Sequence, residues 1–424
     1  MKEILKTIVA FLLAIVARAV VHRYRPTIVM VTGSVGKTST KGAVAAVLEI
    51  RFFVRASEKS FNSEFGVPFT ILGVKNPWGN PLAWLQVVKC AVGLLLLPNH
   101  YPKMLVLEVG ADRPGDLAKI LRIATPHAVV VTRLPEVPVH VEAYASPEQV
   151  REEEFSPAYA LPAAAPLIIS ADDPYTLDSA VRLPSRILTY GTSTDARVRI
   201  EECDFYLEDG KVAGMQAVVR EGGEKRKIIV KGSVGVTQLL PCAAALAAAE
   251  AFGIPLEGAV KALEGYKPPP GRARLFAGVN DSIIIDDSYN ASPAAVEEAL
   301  ATLRIFPGAK RRIAVLGDML ELGRFSVIEH ERVGKLARDS SNLVASVGIR
   351  ARAFTVTSGD AGTLVFEDSK AAALALPGLV KAGDVILVKG SESIRTERIV
   401  EALLANRADV SKLVRQDPEW KRKQ

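Results

Sequence analysis

The sequence predicts an α/β protein: two doubly wound bodies, the first of P-loop type and the second Rossmann-like, preceded by an apolar helix. Three observations carry that prediction. A short β-forming run at residues 28–31 passes through Gly33-Ser34-Val35-Gly36-Lys37-Thr38 into an alanine-rich helix at residues 41–48, the strand–turn–helix that opens a parallel sheet. Short apolar strands then alternate with helical segments, the rhythm of a doubly wound sheet. Finally, the proline run "GYKPPPGR", residues 265–272, separates this from a second strand–helix alternation. The expected division is an apolar helix at 1–26, a first α/β domain at 27–270 and a second at 271–424.

Residues 4–21 read "ILKTIVAFLLAIVARAVV", broken by Lys6 and Arg18 alone. A bilayer span takes about 20 apolar residues and a central charge costs on the order of 3 kcal/mol, but both cations are near enough to the ends to snorkel. The stretch suits a membrane anchor or surface helix at the inner face of the cytoplasmic membrane; packing on the protein's own body is the alternative. His22-Arg23-Tyr24-Arg25 supplies the positive flank expected on the cytosolic side. A cleaved signal peptide fits poorly, because Pro26-Thr27-Ile28 enters the first strand at once.

The turn that follows suits phosphate. Glycines let backbone N–H groups approach an anion, the helix N-terminus adds positive potential, Lys37 has the reach for β/γ-phosphates and the Thr38 hydroxyl suits Mg²⁺. The pattern is the short G-x-x-G-K-[ST], since Val31 stands where a full P-loop has its first glycine. A glycine turn with a stray lysine is the rival reading.

"LAWLQVVKCAVGLLLLP", residues 82–98, reads as a core helix or a membrane-facing patch, Gln86 and Lys89 arguing against a second span. Strands are expected at 104–109, 128–132, 166–170 and 186–190, with helices at 115–123 and 146–161. From Arg197 the chain alternates polar and apolar around Asp209-Gly210 and Gly222-Gly223, as antiparallel hairpins do. A helix at 238–252 precedes the proline run. Beyond it come strands at 282–286, 312–316 and 385–388 and helices at 294–303 and 396–404. Two α/β bodies joined in this way suggest a ligand in the cleft between them.

Bulk properties narrow the partners. The chain has 424 residues, a net charge of +6 and 6% aromatics. With no basic block and few stacking rings, nucleic acid is not an expected partner. Cys90, Cys203 and Cys242 are far apart, which argues against a structural zinc or a disulfide framework. Glu108 falls at a strand's C-terminal end, where a carboxylate can hold Mg²⁺ opposite the phosphate turn or be a plain surface acid. His140 follows the next strand end, as a structural histidine or a metal neighbour. Asp286-Asp287 precede an Asn- and Pro-rich turn and read as a ribose site, a metal site or a helix start, with Ser288 or Asn290 able to cap.

Seven segments in order, "VTGSVGKTSTK", "FNSEFGVPFTILG", "LVLEVGADRPGDL", "VHVEAYAS", "DDSYNASP", "AVLGDMLELG" and "VLVKGSESIRTE", resemble the Mur ligase family over nearly all of the chain after residue 26. They look most like the members that add D-alanyl-D-alanine to a muramoyl tripeptide in peptidoglycan precursor synthesis. The resemblance implies an ATP- and Mg²⁺-dependent ligase. A muramoyl-peptide-like carboxylate takes the γ-phosphoryl group as an acyl phosphate, and an amino acid or dipeptide amine displaces the phosphate. It implies ATP contacts from Gly33, Ser34, Val35, Gly36, Lys37, Thr38, Ser39, Arg272, Asp287 and Asn290. Metal ligands would be Thr38, Glu108 and His140, and substrate contacts Asn62, Ser63, Glu64, Lys389, Ser391 and Arg395. Closure of the second domain would complete the site and exclude water.

Four departures accompany the resemblance. An apolar helix stands before the phosphate loop, where the family has about a hundred residues gripping a UDP group, so a UDP-sugar substrate is in question. Thr132-Arg133 replaces an amide pair, and Pro241 replaces an asparagine beside adenine. Glu154 stands where the family has a carbamylated lysine, offering the same negative charge on a shorter stem as a third catalytic group beside Lys37 and His140. The competing reading is a nucleotide-binding scaffold of this fold, or a diverged ligase for another, membrane-held substrate.

Overall fold

The computed structural model describes residues 2–57, 60–77, 80–354 and 362–422. A helix, α1 (Lys2–Tyr24), leads into β1 (Thr27–Thr32), α2 (Lys37–Leu48), β2 (Val54–Ala56), α3 (Gly66–Leu72), α4 (Pro81–Leu96), β3 (Met104–Glu108), α5 (Asp116–Leu121), β4 (Ala128–Val131), α6 (Pro147–Tyr159), β5 (Pro166–Ser170), α7 (Pro174–Ala180) and β6 (Arg186–Gly191). Three long strands follow, β7 (Val198–Glu208), β8 (Lys211–Glu221) and β9 (Glu224–Lys231), then α8 (Leu240–Ala251) and α9 (Leu256–Leu263). These strands form one nine-stranded sheet in the order β2-β3-β1-β4-β5-β6-β7-β8-β9. The expected hairpins are present, but they extend the parallel sheet: β7 pairs parallel with β6 and antiparallel with β8.

Side-chain alternation explains why this sheet needs helices on both faces. Val29 and Val31 of β1 pack with α2 and α8 on one side, where Ala243 to Ala249 are all buried, while Ile28 and Met30 pack with α1, α3 and α4 on the other. The small side chains of α8 let it approach α2 closely. Leu13, Ala17 and Val20 of α1 lie in the second core, so α1 is packed on the body along one stripe. Its opposite stripe is exposed.

The second domain holds β10 (Arg274–Gly278), β11 (Ser282–Asp287), α10 (Pro293–Ile305), β12 (Arg311–Gly317), α11 (Ser326–Ser340), β13 (Leu343–Val347), β14 (Thr363–Phe366), α12 (Ser369–Ala375), β15 (Asp384–Lys389) and α13 (Glu397–Leu403). Its sheet runs β10-β11-β15-β12-β13-β14, parallel apart from the β10–β11 pair. At the junction Val234 N–H donates to Ala273 O at 3.0 Å and Leu275 N–H to Gly232 O at 2.9 Å. An apolar seam also crosses the boundary, with Phe205 of β7 edge-on to Phe306 after α10 at 5.3 Å between ring centroids.

The α/β architecture is thus as the sequence predicts, with two mixed sheets. Helix α2 begins at Lys37, earlier than the expected residue 41, because Gly36 reverses the chain directly into it. Ser292, not Ser288 or Asn290, caps α10 by accepting from Ala295 N–H at 3.3 Å.

Candidate functional site

The phosphate turn is built by two left-handed glycines. Gly33 has φ 113° and Gly36 φ 90°, and a Cβ on Gly33 would fall 2.3 Å from Thr132 Oγ1, so only glycine fits there. Arg133 O accepts from Ser34 N–H at 2.9 Å and Val35 N–H at 3.3 Å, pinning the turn to the end of β4.

Lys37 and Thr38 open α2 and face the ends of neighbouring elements. Thr38 Oγ1 donates to Glu108 Oε1 at 3.0 Å and lies 2.9 Å from Ser60 Oγ. Glu108, buried at the end of β3, also meets Lys41 Nζ at 3.2 Å. Burial holds the Lys41 ammonium below its ordinary pKa, with Glu108 pulling the other way. Lys37 Nζ stands 3.5 Å from Glu154 Oε1 and donates to Gly33 O. Glu154, 2% exposed, accepts at Oε2 from Thr32 Oγ1 at 3.0 Å and Gly33 N–H at 3.3 Å. Glu154, expected as a partner of His140 across a metal, has its contacts in this structure with the phosphate turn and Lys37.

His140, in the left-handed region at φ 66°, points instead to the second domain. Its Nδ1 is 2.9 Å from Glu321 Oε2 and its Nε2 3.5 Å from Asp112 Oδ1. Burial disfavours the imidazolium, but the Glu321 hydrogen bond and charge, helped by Asp112, outweigh it, and the His140 pKa lies above its ordinary value. The Glu321 carboxyl is correspondingly held low by His140. Arg133 makes a second cross-domain ion pair, with Glu298 of α10.

From the second domain, Arg272 stacks its guanidinium 3.8 Å from the Tyr289 ring centroid and places Nη2 3.5 Å from Thr38 Oγ1. Lys389 Nζ donates to Asp287 Oδ2 at 2.6 Å and Asn290 O at 3.0 Å. Ser391 Oγ accepts from Leu320 N–H at 2.9 Å, and Arg395 pairs with Glu397 beside Trp420. Asp286 is sealed in the core, where burial pushes its carboxyl up to about 6 against the donors of Ser288.

A cleft of about 640 Å³ between the domains collects most of the expected residues: Ser34, Val35, Gly36, Lys37, Thr38, Asn62, Glu108, His140, Arg272, Asn290, Lys389, Ser391 and Arg395 all line it. Six do not. Gly33, Ser39 and Glu154 lie beneath the turn, Ser39 O accepting from Tyr266 Oη at 3.0 Å. Asp287 is held behind Lys389, and its Oδ1 accepts from Ala273 N–H at 3.2 Å. Ser63 Oγ accepts from Gly66 N–H at 3.4 Å, and the half-buried Glu64 lies 3.5 Å from Lys119. Ser60, Asp112, Tyr289, Glu321 and Trp420, which no sequence motif singles out, also line the cleft. Glu321 lies inside the quoted segment "AVLGDMLELG", but only packing of the domains brings it to His140.

For a hard cation, the hydroxyl of Thr38 and the carboxylate of Glu108 offer adjoining oxygens at the phosphate turn, a donor set that suits Mg²⁺. Among the described residues no three His, Cys, Asp or Glu side chains gather as a metal cluster, so the fit requires ligands from substrate phosphates or water. Cys90, Cys203 and Cys242 are free.

The fold and cleft define a two-domain nucleotide-dependent enzyme, with a phosphate turn on one domain and facing cations on the other. The Mur ligase middle domain matches residues 31–249, and the Mur ligase glutamate ligase domain matches residues 271–392. The chain belongs to the Mur ligase family, and is an ATP-dependent ligase of the acid–amino-acid class. It is 28% identical to the UDP-N-acetylmuramoyl-tripeptide–D-alanyl-D-alanine ligase of Bacillus subtilis over 92% of this chain and 78% of the relative. With the enzyme of that name from Mycobacterium tuberculosis H37Rv it shares 30% identity, over 90% and 73%. The crystal structure of the Thermotoga maritima MurF ligase with ADP superposes with a TM-score of 0.77 at 26% identity, covering 93% of this chain and 83% of that one.

Proposed function

We propose that this ligase joins the terminal carboxylate of a muramoyl-peptide-like substrate to the amine of D-alanyl-D-alanine, or of a related amino acid or dipeptide, in peptidoglycan precursor synthesis. The observation that carries the reading is the convergence of Lys37, Thr38 and Glu108 with Arg272, Asn290 and Lys389 on one cleft, in a chain whose relatives bear that substrate in their names. A carboxylate oxygen attacks the γ-phosphorus, the bond to the ADP oxygen breaks, and an acyl phosphate forms. The amine nitrogen then attacks the acyl carbon, phosphate leaves with the C–O electron pair, and the nitrogen loses a proton.

Phosphoryl transfer asks for positioning and charge neutralisation. Lys37 and the backbone N–H groups of Gly36 and Thr38 serve the phosphates, and Arg272 approaches from the opposite wall. Ser34, Val35 and Ser39 complete the loop, and Asp287 serves the nucleotide through Lys389, which it orients. Mg²⁺ held by Thr38 and Glu108 supplies further charge neutralisation. His140 stands at the acyl-phosphate end of the cleft, and Asn62, Ser63 and Glu64 with Ser391 and Arg395 flank the peptide substrate. We assign residues 27–270 and 271–424 as the two working domains and residues 1–26 as the localising helix. The exposed apolar stripe of α1 supports attachment to the inner face of the cytoplasmic membrane, and Lys6 sits 6.0 Å from the Phe65 ring, next to the substrate stretch.

The test is ADP release from the purified full-length chain with a panel of muramoyl peptides and amines. Release that requires both a muramoyl tripeptide and D-alanyl-D-alanine is expected, with formation of the amide product. ATP binding without turnover on any pair would reject the ligase assignment in favour of the scaffold.

A further inference from the structure

At the foot of α1 the chain holds a second cavity, of about 510 Å³, lined by Arg18, His22, Arg25, Arg122 and His127 among others. It lies where β1 and β4 begin, at the N-terminal end of the strands, opposite the end that carries the phosphate turn. Among the described residues the exposed Arg18, Arg25 and Arg122 have no acidic partner, so their charge faces the cavity and solvent uncompensated. His127 Nδ1 accepts from Ile28 N–H at 3.1 Å, which leaves Nε2 as the donor. Residues 4–48 and 65–107 contain no Asp or Glu. None of the described residues that line the cavity is acidic, and Asp116 at the far end of α5 is paired with Lys119 at 2.9 Å.

The same corner terminates an apolar surface. On α1 the side chains of Ile4, Ile8, Phe11, Leu12 and Ile15 are exposed, Ile4 by 66% and Phe11 by 65%, at the spacing of one helical stripe. Helix α4 answers with Leu85, Val88, Val92 and Leu96, the last 72% exposed. The two helices end together: Tyr24 Oη donates to Leu94 O at 2.8 Å, Arg23 Nη2 to Leu97 O at 3.2 Å, and Tyr24 stacks on Tyr101 at 4.4 Å. Two neighbouring apolar stripes closing on an acid-free basic cavity match the chemistry of a lipid with an anionic headgroup. A second copy of the chain would bring like charges together at this corner.

We propose that α1 and α4 lie in the plane of a bilayer with their exposed stripes in the acyl region, and that the cavity at the foot of α1 grips the phosphate headgroup of an anionic lipid. This rests on the membrane attachment proposed above and deepens it by naming the lipid class and the residues that select it. Arg18 and Arg122 make charge-assisted hydrogen bonds to phosphate oxygens from either side, and His127 Nε2 adds a neutral donor.

The test is co-sedimentation of the full-length protein with phosphatidylcholine vesicles and with matched vesicles containing phosphatidylglycerol. Arg18→Gln/Arg122→Gln is compared with wild type, its ATP turnover on soluble substrate serving as the folding control. Wild type is expected to bind the phosphatidylglycerol vesicles at least about tenfold more tightly, and the double variant to lose about fivefold per arginine on those vesicles alone. Equal binding to both vesicle types, or a double variant that binds like wild type, would overturn the headgroup site and leave membrane attachment standing. Absence of binding to any vesicle would overturn both. If inorganic phosphate alone raises the melting temperature of wild type but not of the double variant, and vesicles add nothing, the anion is free phosphate and the lipid assignment fails.

Discussion

Lys37 and Glu154 show how a single pair changes the reading of a site. As a loop lysine, Lys37 looks removable at little cost to the fold, but it is the counter-charge of a carboxylate whose side chain is 3% exposed. Lys37→Ala is therefore expected to lower ADP release at least about a hundredfold and also to destabilise the first domain by about 1–3 kcal/mol, since Glu154 is left half-satisfied. Thermal melting should show recovery in Lys37→Ala/Glu154→Gln while turnover stays lost. An unchanged melt in the single variant would mean that the pair is not formed in solution. Glu154→Gln alone should reduce Mg²⁺-dependent ADP release by loosening Lys37. The matched control is Glu152→Gln, because Glu152 is exposed, whereas Glu153 accepts from Gly115 N–H at 3.1 Å and Leu117 N–H at 3.0 Å at the start of α5. Equal activity in wild type and both glutamine variants would remove Glu154 from the catalytic account.

At the scale of the element, α1 is both a core helix and an exposed one, which its composition could not reveal. Every position of a stretch this apolar suits burial, so the pattern identifies no face; the packing on α3 and α4 does. Because Leu13, Ala17 and Val20 belong to the core, deleting residues 1–25 is expected to lower stability and solubility, and not merely to release a tether. The informative change is on the outer stripe. Ile8→Ser/Phe11→Ser/Ile15→Ser should leave the melting temperature and ATP turnover unchanged and move the protein from the membrane to the soluble fraction. Membrane retention of this variant at wild-type levels would show that the stripe does not contact lipid. Strands β2 and β14 are not among those the sequence predicts: both are short and lie, mostly half-buried, at the edges of their sheets, so neither is pressed into the fully buried apolar run that marks the equally short β4.

At the scale of the whole molecule, the two domains meet through Phe205 and Phe306 in the core, through His140–Glu321 in the cleft and through the Arg133–Glu298 pair between the end of β4 and α10. The His140 pKa is raised by Glu321, so its contribution to closure is fully present below the ordinary histidine value and is lost as pH rises through the raised one. KM for ATP is expected to rise across that window in wild type. In Glu321→Gln it should be elevated already at low pH and the step should shift downward. A wild-type KM that does not change across the window would separate His140 from domain closure.

What the sequence by itself determined is local. The strand–turn–helix at Gly33 to Thr38, the strand–helix alternation and the hairpins all follow from propensity, period and turn chemistry read over a few neighbouring residues, and the ordered segments carried the family. Tertiary structure alone decided that Glu154 serves Lys37, that Glu321 reaches His140 from 181 positions along the chain, and which stripe of α1 faces outward. The physical reason is the same in each case: a side chain's partner is fixed by which elements the sheets and the domain boundary bring together, and a carboxylate or an apolar side chain carries no mark in the sequence of the neighbour it will meet.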